Sequence, residues 1–191
     1  LGFLFRIFLI VVIAVGVGFG ASYYALTDGR VIGSVSVGPW AAWPQIGQSY
    51  PDPYSRAYLA REGFLQLGES EGIQFVANED SSGDPLDRAC HYALEGSVPT
   101  ADFWTLAATT PQGAIVSAAP ETMALHSDRL ALDRDGSVNV HVSPSLAPGN
   151  WLEIDGDGAF QLILTLYDAA VFSGGTTAIS GLPSITRVDC P

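Results

Sequence analysis

From Ile7 to Thr27 the chain carries no charged residue, and nothing else in it constrains the fold as much. As a helix, a run of this length extends about 30 Å at ~1.5 Å per residue, the thickness of a bilayer's hydrocarbon core. Arg6 precedes the run, and Tyr23 and Tyr24 close it with the aromatic rings favoured at the membrane–water interface. The pattern predicts a short tail over residues 1–6 and a transmembrane helix or signal anchor over residues 7–27. The rival reading is a cleavable signal peptide, with Gly18-Phe19-Gly20 as a small-x-small site before Ala21. The run is long for a signal core, which favours retention. Both readings place the remainder across the membrane. Gly16 and Gly20 also form a small-xxx-small pair that lets a second helix approach closely.

At 191 residues there is room for such an anchor and one domain. The 8 basic residues, all Arg, face 20 acidic ones, and the net charge is −12. A field of that sign repels phosphate backbones and anionic headgroups, so nucleic acid is excluded as a partner. The two cysteines, Cys90 and Cys190, lack CxxC spacing, which argues against zinc. Across a membrane, such a pair forms one disulfide, with a free thiol or a metal ligand as the alternatives. A bridge would pin a C-terminal strand beside the strand that carries Cys90.

Residues 28–51 read as a linker with a short strand over Arg30 to Val37, after which Gly38-Pro39-Trp40-Ala-Ala-Trp43-Pro44 breaks regular structure. Asp52 followed by Pro53 is an N-cap signal, and a helix is expected from Pro53 to about Leu67, with Tyr54, Tyr58, Arg61 and Leu65 on one stripe and Gly68 at its end. The rest of the domain, 52–191, alternates as strands: Ile73, Phe75 and Ala77; Cys90, Tyr92 and Leu94 opposite His91 and Glu95; Phe103 onward; Leu130 to Leu132; Val138, Val140 and Val142; Phe160 to Tyr167; Ile185 to Cys190. Some eight strands with Gly/Pro turns predict a mainly β fold, a jelly-roll-like sandwich behind one membrane helix and one short soluble helix.

No constellation names a reaction. Asp155-Gly-Asp157-Gly opens like a calcium loop, but Phe160 and Leu166 stand where an EF-hand needs Gly and Glu, so a polar turn is the reading. The carboxylates of Glu79, Asp80, Asp84 and Asp87 surround a Gly-Pro turn and read as solvated. His91, His126 and His141 lack metal spacing; His91 and His141 both fall on outward strand positions and are the candidates for a ligand face. There is no Gly-x-Ser-x-Gly elbow, and Gly174-Gly175 lacks the helix a phosphate cradle needs. No catalytic residue, metal or cofactor is expected. Trp104 and Trp151 read as core or structural positions. Asn150 and Trp151 are expected to be structural, Asn150 bonding backbone in a turn and Trp151 filling the mouth of the sandwich.

Several motifs occur in order: Asp52-Pro-Tyr-Ser-Arg-Ala-Tyr-Leu-Ala-Arg-Glu-Gly63, Cys90-His-Tyr, Phe103-Trp-Thr-Leu106, Asp135-Gly136-Ser, Pro148-Gly-Asn-Trp-Leu152, Leu164-Thr-Leu-Tyr167, and Leu182-Pro-Ser-Ile-Thr-Arg-Val-Asp-Cys190. Together they resemble the short exported members of the bacterial family known as domain of unknown function 1214, over about Asp52 to Pro191. The resemblance implies a jelly-roll-like sandwich, an N-terminal apolar segment, paired cysteines and an envelope partner, since relatives accompany a second uncharacterised domain. It implies no established activity. Two positions depart from the family, Asp102 where a basic or aromatic residue is usual and Thr165 where Arg is common.

The expectation is therefore a single-pass protein of the bacterial inner membrane, N-terminus in the cytoplasm and domain in the periplasm. It would be a non-enzymatic module that binds or scaffolds a partner protein. A carbohydrate- or lipid-binding sandwich is the second reading, and an uncharacterised hydrolase using His91 or His141 with a nearby acid is the third.

Overall fold

The computed structural model describes residues 2–28, 33–44, 50, 52–63, 67, 71–119, 123–169 and 181–190. The apolar run folds as α1 (Gly2–Asp28), and from Gly2 to Tyr24 it is long and apolar enough to cross a membrane. None of that span is buried by the rest of the chain. It is compatible with an anchor or a signal sequence.

Ten strands follow among the described residues: β1 (Val35–Val37), β2 (Trp40–Ala42), β3 (Gly72–Ala77), β4 (His91–Gly96), β5 (Ala101–Thr109), β6 (Ala124–His126), β7 (Val138–Ser143), β8 (Asn150–Glu153), β9 (Gln161–Ala169) and β10 (Ser184–Asp189). They form a six-stranded sheet in the order β1-β2-β3-β9-β5-β6 and a four-stranded sheet in the order β10-β4-β7-β8. The inner faces share one core: Phe75, Leu164 and Leu166 from the large sheet meet Tyr92, Leu94 and Val140 from the small one. The Tyr92 and Phe160 rings pack edge to face at 5.7 Å within it. The alternations expected in β3, β4 and β7 are the ones observed, with Val138, Val140 and Val142 buried.

Several segments differ from the sequence reading. The stretch expected to break regular structure contains β2, because Gly38 (φ 57°) and Pro39 are themselves the turn of the β1–β2 hairpin, in which Val37 pairs with Trp40. Trp40 is fully buried, and its indole N–H donates to the Pro183 carbonyl at 2.7 Å. The short strand expected over Arg30 to Val37 is observed as β1 from Val35, and β2 adds a second strand inside the stretch expected as linker. Helix α2 runs Pro53–Glu62, shorter than expected, and Gly63 at φ 74° ends it in the left-handed conformation that glycine adopts without strain. Leu65 and Gly68 lie outside the described residues. Its N-cap is as expected: Asp52 accepts from the Tyr54 and Ser55 N–H groups at 3.0 and 2.9 Å. The strand expected at Leu130–Leu132 is replaced by β6 and a 3₁₀ turn over Ser127–Arg129, with only an isolated bridge between Leu132 and Val138.

Strand β8 was not anticipated, and it runs parallel to β7. Parallel strands usually need a crossover of a dozen residues or more. Here residues 144–149 suffice, because the register sets Asn150 beside Val140 and the chain retraces only a few residues. Gly149 at φ 81° makes the return.

Candidate ligand face on the four-stranded sheet

Register determines which side chains meet on the solvent side of the small sheet. Glu95 pairs with Ser184 and Asn139, Ala93 with Thr186 and His141, and His141 with Trp151. The row Thr186–Ala93–His141–Trp151 therefore crosses all four strands. One step along, Asp189 pairs with His91 and Ser143 with Glu153. Continuing the β4–β7 register one residue past the Tyr92–Val142 pair brings His91 beside Ser143. The two histidines singled out from the sequence thus share one sheet face, on adjacent strands.

Much of this face is fixed from within. His91 Nδ1 lies 2.7 Å from Asp189 Oδ1. The Trp151 indole N–H donates to the Ser143 carbonyl at 3.2 Å and to its hydroxyl at 3.1 Å. That bond draws the half-buried ring across the outer face of β7 and buries Ser143. Trp151 therefore does not fill the mouth of the sandwich; parity with the buried Leu152 turns it outward. Trp104, by contrast, belongs to the core as expected. Asn150 bonds backbone, but far from its own turn. Its Oδ1 accepts from Ala131 N–H at 2.8 Å, and its amide donates to the carbonyls of Ala131 at 2.8 Å and Asn139 at 2.9 Å. Glu153 accepts from the Ser117 hydroxyl at 2.7 Å and from Ala119 N–H at 3.3 Å, which ties residues 117–119 to the edge of β8.

The order Asp189–His91–Ser143 resembles a nucleophile relay in outline only. The Ser143 hydroxyl donates to the Ser145 carbonyl at 2.6 Å and is buried beneath Trp151. A serine so committed offers no proton to His91 and no path to a substrate.

Cys90 and Cys190 lie at disulfide distance, with Cα atoms 4.2 Å apart, at the same end of the β4–β10 pair. Such a bridge points to an oxidising compartment. Beside it Asp80, only 3% exposed, accepts from Ser82 and Asp84 N–H groups at 2.9 and 3.1 Å and stands 3.4 Å from Arg187 Nη2. The same guanidinium donates to the Pro85 carbonyl at 2.7 Å and sits 5.7 Å from the Tyr92 ring centre. One of the carboxylates expected to be solvated is thus buried and paired. The Asp155–Gly158 turn holds a cation of the chain's own: Arg88 donates to the carbonyls of Asp155 at 3.0 Å and Gly158 at 3.2 Å. Among the described residues no three His, Cys, Asp or Glu side chains gather closely enough to hold a metal ion. Gly174-Gly175 lies outside the described residues.

His126 sits apart on β6 of the large sheet, its ring 5.7 Å from Phe103. Its Nδ1 is buried without a hydrogen-bond partner. Thr165, one of the two departures from the family pattern, is buried on β9, and Asp102 is exposed at the start of β5. Sequence reasoning missed the pairing of His141 with Trp151. The available signal was the buried alternation of Leu152 and Ile154, which marks Asn150–Glu153 as a strand but not its partner or direction.

The fold and this face define an acidic, disulfide-closed two-sheet β protein behind an N-terminal apolar helix. A sequence profile of the proteins of unknown function DUF1214 matches residues 71–171, more than half of the chain, and the chain belongs to that family. Among solved structures it is similar to the VPA0106 protein of Vibrio parahaemolyticus, at 18% identity and a TM-score of 0.58 over 75% of this chain and 37% of that one. It is also similar to a putative uncharacterized protein from Burkholderia cenocepacia, at 16% identity and a TM-score of 0.47 over 92% of this chain and 51% of that one. The chain thus spans between about a third and a half of the lengths of these proteins, and the first likeness speaks for the fold alone. No curated protein matches it.

Proposed function

We propose that the protein is a single-pass inner-membrane protein whose jelly-roll-like domain stands in the periplasm and binds an envelope ligand without transforming it. The observation that carries this reading is the union of an unburied apolar helix with a sandwich whose cysteines stand at disulfide distance. The helix suits a bilayer and the bridge suits an oxidising compartment. The ligand face is the solvent side of the four-stranded sheet, held in one conformation by the Trp151, Asn150 and Asp189 contacts. A rigid face loses little conformational entropy on binding. The His91–Asp189 pair favours a hydrolase as the second reading, which the commitment of Ser143 weakens.

Two measurements test this. Full-length protein is expected in carbonate-resistant membranes, with its domain cleaved by protease in spheroplasts but not in intact cells. A soluble form beginning near Ala21, or a domain protected in spheroplasts, removes the anchored topology. For the face, a photo-crosslinking residue at Thr186 is expected to trap an envelope component in intact cells, while one at Ser36, exposed on the other sheet, does not. Absence of any adduct from Thr186 defeats the assignment of the face.

A further inference from the structure

We infer that the ligand of this face is a neutral glycan chain, stacked on Trp151 and hydrogen-bonded along the row that runs to Thr186. The inference rests on the binding reading above and names the ligand's chemistry. Ala93 stands between Thr186 and His141, so the row is high at both ends and low in the middle. With strands ~4.8 Å apart the row measures roughly 14 Å, the length of a di- or trisaccharide. Trp151 has spent its only polar group on Ser143, so what the ring adds to a ligand is its π face. A pyranose offers a patch of C–H bonds on one side and hydroxyls around its rim, and it matches a surface where one aromatic plane is surrounded by groups that donate and accept. His141, Asn139, Glu95 and Thr186 are such groups, and all lie on this face.

The alternatives match less well. Glu95 and Asp189 on the face, within a chain of net charge −12, repel phosphates and anionic headgroups. A protein partner draws its affinity from a cluster of large apolar or aromatic anchors at the centre of an interface, and here the centre is Ala93. An acyl chain needs a continuous apolar channel, and here His141 separates Trp151 from Ala93 while Thr186 closes the far end.

The test uses the full-length protein in lipid discs free of sugar detergent, titrated with β-1,4-linked tetramers of glucose and of N-acetylglucosamine. Three of the four tryptophans, Trp40, Trp43 and Trp104, are buried, so a change in indole fluorescence reports Trp151. Saturable binding of at least one tetramer is expected, with dissociation constants between about 0.01 and 1 mM. His141→Ala should weaken it about tenfold. Ala93→Arg, which fills the low centre while leaving the Trp151 contacts intact, should abolish it without lowering the melting temperature. Trp151→Ala, which removes the fluorescent reporter and is therefore read by calorimetry, should also abolish it, but Ala93→Arg decides the matter if that variant unfolds. Silence from both tetramers at several millimolar overturns the inference, as does binding that survives Ala93→Arg. If the tetramers are silent while Thr186 still crosslinks a protein in cells, the glycan is wrong and the face stands. If both fail, the binding reading falls with it.

Discussion

Asp189 meets His91 at 2.7 Å only because Val188 is bulged out of β10. Up to Arg187 the strands pair in simple register, Arg187 opposite Tyr92; the next pair is Asp189 with His91, so Val188 has no partner and is 63% exposed. Were Val188 paired in simple register instead of bulged, it would face His91 and Asp189 would face Cys90. The bulge therefore flips the parity of the last residues, sending Asp189 outward and Cys190 toward Cys90. Deleting Val188 closes the bulge and keeps Asp189 opposite His91 and Cys190 opposite Cys90 in simple register, so the bridge should still form in protein exported by an oxidising host. Thiol counting on denatured, unreduced material checks this: none in the wild type and none in the deletion, where two per chain would show that the bulge itself is required. Two in the wild type would refute the bridge.

The bridge closes about 100 residues, worth roughly 4–5 kcal/mol in the chain-entropy model less any strain. Its two sulfurs are unequal, since Cys190 is exposed and Cys90 belongs to the core. An external thiolate attacks the accessible Cys190 sulfur, and Cys90 must then leave as a thiolate in apolar surroundings, a poor leaving group. Reduction under native conditions should be slow and should accelerate in Ile185→Ala, where β10 loses a fully buried anchor. Equal reduction rates in the two proteins would contradict this. Once reduced, the protein should melt lower and be cut first in β10.

Arg187 faces the core side of the same strand and compensates Asp80. Arg187→Met leaves a carboxylate that is 3% exposed without its cation, and about 2–4 kcal/mol of stability should go, toward the low end because Arg187 is itself part-exposed. Asp80→Asn in the Arg187→Met background should restore part of the loss, since the amide still accepts from the turn N–H groups. Urea denaturation of the two variants gives the comparison. A double variant no more stable than the single one would show that the pair is not coupled.

How far the sequence reached follows from which interactions are local. The alternation in β7, the Asp52 cap and the apolar helix depend on neighbours a few residues away, and all were legible. Strand order, the parallel β8 and the Asn150 clamp on Ala131 depend on partners brought together by tertiary packing, which no window of sequence contains. The early placement of Gly38 as a breaker shows the other limit: a glycine that stops one strand also turns the chain into the next. For the candidate ligand face, the residue types at 91 and 141 were visible, while their neighbour Trp151 came from a strand ten residues further on.

Asn150→Ala removes three hydrogen bonds that join the Ala131 segment to β7 and should cost about 1–3 kcal/mol. Trp151→Ala should cost about 2–3 kcal/mol, less than truncation of a fully buried tryptophan, because the ring is only partly buried. Hydrogen exchange separates the two: Asn150→Ala should loosen residues 130–132, Trp151→Ala the 144–149 connection. A variant that leaves protection of its segment unchanged would remove the structural role assigned to that residue.

Helix α2 should respond to pH through Asp52. Hydrogen bonding holds this carboxyl below its ordinary value, the Ser55 hydroxyl above all, with burial acting against it and the Ser55 and Tyr54 amides adding smaller effects in the same direction as the hydroxyl. A folded pKa below the unfolded one means the cap's contribution is complete above the unfolded pKa and is lost as pH falls through the folded one. Amide protection at Tyr54 and Ser55 should therefore hold at neutral pH and decline below about pH 4. Asp52→Ala should cost ~1 kcal/mol at neutral pH and less in acid. Equal cost at both would remove Asp52's charge from the cap.

The turn that resembles a calcium loop should ignore calcium. Gly156 and Gly158 adopt φ values of 82° and 91°, and Arg88 reaches between them: a Cβ on Gly156 would stand 3.0 Å from its Nη1, and one on Gly158 3.5 Å from its Nη2. The guanidinium already occupies the carbonyls that a cation would seek, at 3.0 Å from Asp155 O and 3.2 Å from Gly158 O. A divalent ion would have to expel a side chain that the fold tethers through the Arg88 N–H to Gly158 carbonyl bond at 3.0 Å. Millimolar calcium should leave the melting temperature unchanged in the wild type. Arg88→Ala should lower stability by about 1–3 kcal/mol, since the two carbonyls lose a charged donor. Gly156→Ala should be destabilising through both its backbone conformation and the approach to Arg88. Calcium that raises the wild-type melting temperature would show that Arg88 is displaceable, and the turn would then be a genuine ion site.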